Sequence, residues 1–80
     1  MEEEIVELIV KWTGYEKLRE NKYVDLLEED ILDSLAFIEI ITELEEEFDI
    51  EIQPTQVPQD TWRSVDNIVK MVEEKIKERD

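Results

Sequence analysis

Apolar residues recur at helical spacing in three stretches of the chain. The first stripe, with spacing i, i+3, i+4 and i+7, consists of Ile5, Leu8, Ile9 and Trp12, and it predicts a helix over about 2–13. Three glutamates in the first turn favour this helix, because negative charge is stabilised at the positive end of the helix dipole. Gly14, the only glycine in the chain, is expected to cap its C-terminus.

The second stripe predicts a helix over about 34–48. It consists of Ile38, Ile41, Leu44 and Phe48, with Ile40 beside it. Asp33 or Ser34 can serve as the N-cap, because both side chains accept a hydrogen bond from the free N–H groups of a first turn. Acidic residues crowd the opposite end, where the dipole disfavours them.

The third stripe predicts a helix over about 64–78, with Ser64 as its N-cap. Its apolar positions are Val65, Ile68, Val69, Val72 and Ile76. Basic residues at its end (Lys75, Lys77 and Arg79) complement the dipole there.

Two connectors separate these helices. Residues 14–33 form a long first loop with one helical turn near residues 15–19, and its apolar pairs (Tyr23-Val24, Leu26-Leu27 and Ile31-Leu32) are its expected anchors in the core. In the second connector, 49–63, Pro54 and Pro58 bracket three residues, which leaves room for one short helical turn. No strand-like alternation persists, so the pattern predicts an all-α protein: a small three-to-four-helix bundle with a long first loop, formed by residues 1–80 as a single domain.

The composition narrows the classes of function. The chain has 80 residues with 9 basic and 24 acidic side chains, a net charge of −15, which argues against binding to nucleic acid or to anionic membranes. It has no Cys and no His, so disulfides, thiolate nucleophiles and the commonest general base are excluded. No apolar run is long enough to span a bilayer and no signal-peptide pattern opens the chain. We therefore expect a cytoplasmic, monomeric protein with no catalytic residues and no metal site.

The negative charge is concentrated in the middle of the chain. Residues 23–62 contain 13 acidic residues and no basic residue. Such a block favours encounter with a cationic partner. The alternative is an acidic face that serves only solubility.

The start of the predicted central helix has more apolar residues than one stripe needs. Leu35, Ala36, Phe37 and Ile38 are consecutive and cover the whole circumference of the first turn. We expect at least one of Leu35 and Phe37 to be exposed or to cover a groove beside Ser34, as part of a docking patch with a charged rim. The alternative is that the first loop folds over this turn and buries all four.

Ser34 is one of only two serines in the chain. It has no His or Lys nearby in sequence to activate it, which argues against a nucleophile of the hydrolase kind. A helix N-terminus does accommodate a phosphate ester, because its free N–H groups and dipole favour anions.

The combination of these features resembles the acyl carrier proteins. The resemblance rests on Asp33-Ser34-Leu35 at a helix start, about a dozen residues leading to Phe48-Asp49-Ile50, a short connector and a capped last helix. It implies that a phosphopantetheinyl transferase attaches 4′-phosphopantetheine from coenzyme A to Ser34, with Asp33 as part of the motif that the transferase recognises. The arm would then hold acyl or aminoacyl groups as thioesters for transfer between enzymes.

The resemblance also implies a surface for partner enzymes. Their basic patches would meet Glu39, Glu43, Glu45 and Glu46, and Leu35 and Phe37 would be the apolar anchors. The expected partners are the transferase and an adenylating ligase, acyltransferase or synthase.

Within the family, the second half of the chain most resembles the D-alanyl carrier proteins of teichoic-acid modification, through Thr55, the Asp60-Thr61-Trp62 turn and Ile68. That branch usually has Gly four residues before the serine, whereas this chain has Asp30, which bears on the shape of the loop. A carrier for fatty-acid, polyketide or peptide synthesis remains an alternative. So does a different class of protein: an acidic helical binding module without a prosthetic group. A cation-binding domain is a third reading, but the chain lacks a calcium-loop motif.

Overall fold

The structure is a computed structural model that describes residues 1–79. It contains three long helices, α1 (Glu2–Thr13), α2 (Ser34–Phe48) and α3 (Val65–Arg79), and two short 3₁₀ helices, Glu16–Arg19 and Gln59–Arg63. α1 packs against α2, α3 and the first 3₁₀ helix, and the second 3₁₀ helix packs against α3. No strand occurs within the described residues, and the predicted all-α bundle is confirmed.

The helix ends have the caps that the sequence predicts. Gly14 adopts a left-handed conformation with φ 73° and donates its N–H to the Val10 carbonyl at 2.7 Å. Ser64 Oγ accepts a hydrogen bond from the Asn67 N–H at 3.2 Å, just before α3 begins. These local interactions set where α1 stops and α3 starts.

The core is apolar and draws on every helix. Its fully buried larger side chains are Ile5, Ile9, Leu18, Leu26, Ile40, Leu44, Val65, Ile68 and Val72. Within residues 1–79 no polar or charged side chain is buried. Burial of apolar surface therefore provides the main stabilisation of the fold.

The first loop is fixed to the second 3₁₀ helix through Leu26. This side chain is fully buried, and its N–H donates to the Arg63 carbonyl at 2.7 Å. The Arg63 guanidinium in turn donates to the Asp25 carboxylate at 2.9 Å. One predicted anchor of this loop is wrong: Tyr23 is 70% exposed, and its N–H donates to the Asn21 side chain in a turn at the surface.

Two further expectations need correction. Ile38 was predicted to lie on the buried stripe of α2 but is 58% exposed, because the buried face is centred on Ile40 and Leu44 and Ile38 lies beyond its edge; the other predicted positions are buried or packed against the core. The short helical turn does not lie between the two prolines; it runs over Gln59–Arg63, after Pro58. Pro58 has φ −55°, which suits the position before a helical turn, where a missing N–H costs nothing.

The acidic C-terminal end of α2 is compensated by α3. Arg79 Nη1 donates to the Phe48 carbonyl at 2.6 Å and to the Asp49 carbonyl at 3.1 Å. A cation at this end is favourable, because the free carbonyls carry the negative end of the dipole. Each of the helices in residues 1–79 is too short or too polar to cross a membrane.

Candidate functional site

Ser34 is the first residue of α2, and Asp33 is its N-cap. Asp33 has an extended backbone, and its carboxylate accepts a hydrogen bond from the Ala36 N–H at 2.8 Å. Because Asp33 supplies the cap, the Ser34 side chain is not needed for it. Ser34 is exposed, and its hydroxyl has no hydrogen-bond partner within the described part of the chain. The sequence left the choice of cap open between these two residues, and the structure assigns it to Asp33.

The backbone around Ser34 can accommodate an anion. The N–H groups of Ser34 and Leu35 have no acceptor among residues 1–79, whereas those of Ala36 and Phe37 are taken by Asp33. Free N–H groups at the start of a helix favour a phosphate group, and α2 is long enough, at 15 residues, to have a full dipole. The residues present therefore fit a phosphodiester on Ser34.

The apolar side chains next to Ser34 divide into two sets. Leu35 and Ile38 are 69% and 58% exposed, so the first loop does not cover the whole first turn of α2. Phe37 is half-buried, and its ring meets Trp62 edge to face with centroids 5.0 Å apart. Such aromatic pairs add to the stability gained from burial alone. The exposed apolar patch at this end of the helix thus consists of Leu35 and Ile38, while Phe37 connects α2 to the second 3₁₀ helix.

A shallow groove of about 400 Å³ lies beside Ser34 and is named here the Ser34 groove. It is lined by Leu27, Leu32, Asp33, Ser34, Phe37, Ile38, Gln59 and Trp62. The first loop, the start of α2 and the second 3₁₀ helix each contribute a wall, and the Leu26–Arg63 hydrogen bond keeps the loop beside the 3₁₀ helix. A groove beside Ser34 was predicted from the four apolar residues at the helix start.

The acidic residues predicted to bind partners differ in whether their carboxylates already have hydrogen-bond partners within the protein. Glu46 is exposed and Glu39 partly exposed, and neither carboxylate has a hydrogen-bond or ion-pair partner among residues 1–79. Glu43 accepts hydrogen bonds from Lys11 Nζ at 2.7 Å and from Trp12 Nε1 at 2.8 Å. The hydrogen bond from Lys11, assisted by that from Trp12, lowers the pKa of Glu43 against the smaller opposing effect of burial. Glu45 accepts the Ile52 N–H at 2.9 Å, which ties the second connector to α2.

The chemistry available at the site is limited to what a hydroxyl at a helix start can do. No side chain lining the Ser34 groove is basic, and the chain has no histidine, so Ser34 has no base of its own to deprotonate it. The described residues also contain no cluster of three or more acidic side chains arranged to hold a metal ion. The site therefore offers an exposed hydroxyl at a helix start, with no basic side chain among the residues that line the groove.

Sequence reasoning missed several residues that shape the site. Ile38 was placed in the core, and Leu27, Leu32, Gln59 and Trp62 were not connected with Ser34. The apolar run over residues 35–38 predicted that Leu35 or Phe37 would be exposed or would cover a groove; Leu35 is exposed, but the exposure of Ile38 was not predicted. Nothing in the local sequence indicated that Gln59 and Trp62 approach Ser34, because they are more than 20 residues away along the chain.

Comparisons with known proteins agree with this description. A family model described as a phosphopantetheine attachment site matches residues 3–72. A D-alanyl carrier protein of Lactococcus lactis subsp. cremoris (strain MG1363) is 38% identical over 78 residues, covering 98% of this chain and 99% of that protein. D-alanyl carrier proteins of Lactococcus lactis subsp. lactis (strain IL1403) and Bacillus cereus (strain B4264) are 39% and 31% identical, over 94% and 90% of this chain and 95% and 91% of their own lengths.

The match with the family model covers most of the chain, and the relatives align with it nearly from end to end. The resemblance to the acyl carrier proteins and the assignment of 4′-phosphopantetheine as the cofactor are therefore confirmed. This chain belongs to the phosphopantetheine-attachment family of carrier proteins, whose members carry 4′-phosphopantetheine as a covalently bound group.

Proposed function

We propose that this protein carries D-alanine on a 4′-phosphopantetheine arm attached to Ser34. The observation on which the proposal depends is the position of Ser34, exposed at the start of α2, with a hydroxyl and neighbouring N–H groups that are unpaired within residues 1–79. The choice of D-alanine is supported by relatives that are named D-alanyl carrier proteins and align over nearly the whole chain. When bound, the arm supplies a terminal thiol that holds an acyl group as a thioester.

The chain's own residues position and present the group but do not catalyse its transfer. Asp33 caps α2 and so leaves the Ser34 hydroxyl free for the transferase. Leu35 and Ile38 provide an exposed apolar contact for partner enzymes, and Glu39 and Glu46 provide free negative charge on the same exposed side of the helix. Exposed ion pairs contribute only about 0–1 kcal/mol each, so complexes that depend on them dissociate readily, as a carrier requires.

The roles of the remaining predicted residues are mainly structural in this proposal. Glu43 and Glu45 already hold groups of the protein itself, Lys11 and Trp12 in one case and the Ile52 N–H in the other. Phe37 packs on Trp62. These three residues maintain the shape of the docking surface, and the partners contact mainly its exposed members.

The proposed partners are a phosphopantetheinyl transferase, an adenylating ligase that loads D-alanine and a membrane acyltransferase that receives it. The donors for loading, coenzyme A and ATP, are cytoplasmic, and we place the protein in the cytoplasm as a single-domain monomer. The acidic surface suits partners with basic patches around their active sites.

Modification at Ser34 is tested by incubating the protein with coenzyme A, Mg²⁺ and a broad-specificity transferase and measuring its mass. We expect the mass to increase by one phosphopantetheine, and Ser34→Ala to abolish the increase. Ser64→Ala is the matched control, because Ser64 is the only other serine and only caps α3. No increase for the unaltered protein would refute the carrier function and leave an acidic helical binding module.

The cargo is tested with the modified protein, ATP and an adenylating ligase from a D-alanine system. D-Alanine should be attached at least several-fold faster than L-alanine, and the attached group should be released by hydroxylamine, which cleaves thioesters. Preferential loading of a fatty acid by its own ligase or synthase, with no loading of D-alanine, would contradict the proposed cargo but not the attachment at Ser34.

A further inference from the structure

The Ser34 groove begins at the residue that would carry the prosthetic arm. We propose that the pantetheine arm, once attached to Ser34, lies in the Ser34 groove against Trp62 and Gln59 instead of extending freely into solvent. This inference rests on the proposed function, because only a group fixed to Ser34 starts at the rim of this groove. The arm is the one occupant that we assign to it.

The chemistry of the lining matches that of the arm. Beyond its phosphate, pantetheine is uncharged and contains a geminal dimethyl group and two amides. The groove is lined by five large apolar side chains, Leu27, Leu32, Phe37, Ile38 and Trp62, together with the neutral amide of Gln59. Its only charged lining residue is Asp33, which lies next to Ser34 and already accepts the Ala36 N–H. A cationic or strongly acidic ligand would find no complementary charge along the rest of the groove.

Two residues that line the groove, Trp62 and Gln59, carry side-chain polar groups that are unpaired within residues 1–79 and suit the amides of the arm. The Trp62 N–H has no acceptor among residues 1–79, although the residue as a whole is only 4% exposed. No side-chain nitrogen or oxygen in the described part of the chain is both fully buried and unpaired, so this N–H keeps some access to solvent. The Gln59 side chain is exposed and is likewise unpaired in residues 1–79. An indole donor and a side-chain amide can each form one hydrogen bond with an amide of the arm.

The position of the arm is tested by NMR spectroscopy on the apo and pantetheine-modified protein, with modification verified by mass. We expect the Trp62 indole N–H and the Gln59 side-chain amide resonances to shift on modification, and nuclear Overhauser effects to appear between the geminal methyl groups and the Trp62 ring. Trp12 is the internal control, because its indole N–H is held by Glu43, nine residues and thus roughly 13 Å along α2 from Ser34. Its resonance should shift several-fold less.

Variants separate docking in the groove from mere proximity to Ser34. Leu27→Ser alters the groove, and Leu35→Ser makes the same change on the exposed side of the helix start, outside the groove. We expect the Overhauser effects to be lost or strongly reduced in Leu27→Ser and retained in Leu35→Ser. If Leu27→Ser does not fold, as judged from the Trp12 resonance, Gln59→Glu serves instead, because this exposed position tolerates a charge that the neutral arm does not match.

The two proposals fail in different ways. If the mass increases but neither the shifts nor the Overhauser effects appear, the arm is free in solution and the groove inference is wrong, while the carrier function stands. Equal Overhauser effects in Leu27→Ser and the unaltered protein would also overturn the groove inference. Absence of any mass increase refutes the carrier function itself.

Discussion

Asp30 occupies a backbone conformation that favours glycine. It has φ 57° in the loop that leads to Ser34, and its N–H donates to the Leu27 carbonyl. The resemblance to D-alanyl carriers indicated that glycine is usual at this position, four residues before the serine. The structure shows that the chain keeps the left-handed turn with an aspartate. Asp tolerates this region better than most residues, but it still costs free energy relative to Gly.

We expect Asp30→Gly to raise the free energy of unfolding by roughly 0.5–1 kcal/mol, because Gly adopts this conformation without strain. The greater conformational entropy of Gly in the unfolded chain opposes part of this gain. The measurement is urea denaturation followed by circular dichroism, compared at equal m-values. Asp30→Asn is the control, since it removes the same negative charge but keeps a side chain that tolerates the left-handed backbone conformation. A gain in Asp30→Gly no larger than that in Asp30→Asn would attribute the effect to charge and contradict backbone strain.

At the scale of the elements, Glu43 connects α1 to α2. Its carboxylate accepts from two neighbouring residues of α1, Lys11 and Trp12, while the Lys11 ammonium lies 5.1 Å from the Trp12 ring centroid. The pKa of Glu43 is lowered chiefly by the hydrogen bond from Lys11. The folded state therefore stabilises the ionised form of Glu43 relative to the unfolded chain.

This arrangement predicts a pH-dependent contribution to stability. Because the folded-state pKa of Glu43 lies below its ordinary value of 4.5, the contribution is present above that value and is lost as the pH falls through the lower folded-state pKa. Glu43→Gln should lower the free energy of unfolding by about 1 kcal/mol near pH 7.

The measurement is urea denaturation of both proteins at several pH values between neutrality and well below 4.5. The difference between them should shrink towards zero at the acidic end. Glu47→Gln is the matched control, because Glu47 is exposed on the same helix and its carboxylate is unpaired within residues 1–79. A difference for Glu43→Gln that stays constant with pH would contradict the role of its ionised form.

The helices also show how much the hydrophobic periodicity of the sequence predicts about which side chains are buried. For α1 and α3 the predicted stripes lie in or against the core, because each has one dominant apolar face. α2 has apolar residues on more than one side of its first turn, so the spacing was compatible with two orientations. The contact with Trp62 and the burial of Ala36 and Ile40 select one, and Ile38 is left exposed.

For the molecule as a whole, the dominant feature is its charge. The chain folds compactly, with a Cα radius of gyration of 11.6 Å, despite a net charge of −15. A compact chain of this length is expected to have a radius of about 12 Å. Intramolecular ion pairs involve bases that lie outside residues 23–62, among them Lys11, Arg63 and Arg79, which pair with acids inside that segment. Under the proposed function, the acids on α2 that are unpaired within residues 1–79, Glu39 and Glu46 among them, are the ones that meet a partner.

Location of charge, and not its total, should control the rate of partner association. Glu39→Lys with Glu46→Lys changes the net charge from −15 to −11, since each substitution adds two charges, and should lower kcat/KM for transferase modification of Ser34 several-fold at low salt. The effect should shrink at high salt because exposed charges are screened. The measurement is the initial rate of modification at two ionic strengths.

The control has the same net charge of −11 but carries its two changes on the exposed surface of α3, Glu73→Lys with Glu74→Lys. It should reduce the rate much less. Equal losses in the two double variants would mean that only the total charge matters and that α2 is no docking surface.

The sequence by itself determined the features that depend on neighbours along the chain. Helical spacing marked the three helices, the residue types at their ends marked the caps at Gly14 and Ser64, and composition excluded whole classes of chemistry. Ser34 was also recognisable as a candidate site, because Asp33-Ser34-Leu35 and the residues that follow resemble the acyl carrier proteins.

Only the tertiary structure decided which side of α2 faces the core, which acidic side chains are already paired and where the groove beside Ser34 runs. Spacing along a helix identifies the residues that share a face, but it does not say which neighbouring element covers that face. The groove combines residues 27–38, at the end of the first loop and the start of α2, with Gln59 and Trp62 from much later in the chain, and Glu43 meets residues more than 30 positions away. Such contacts exist only after the chain has packed.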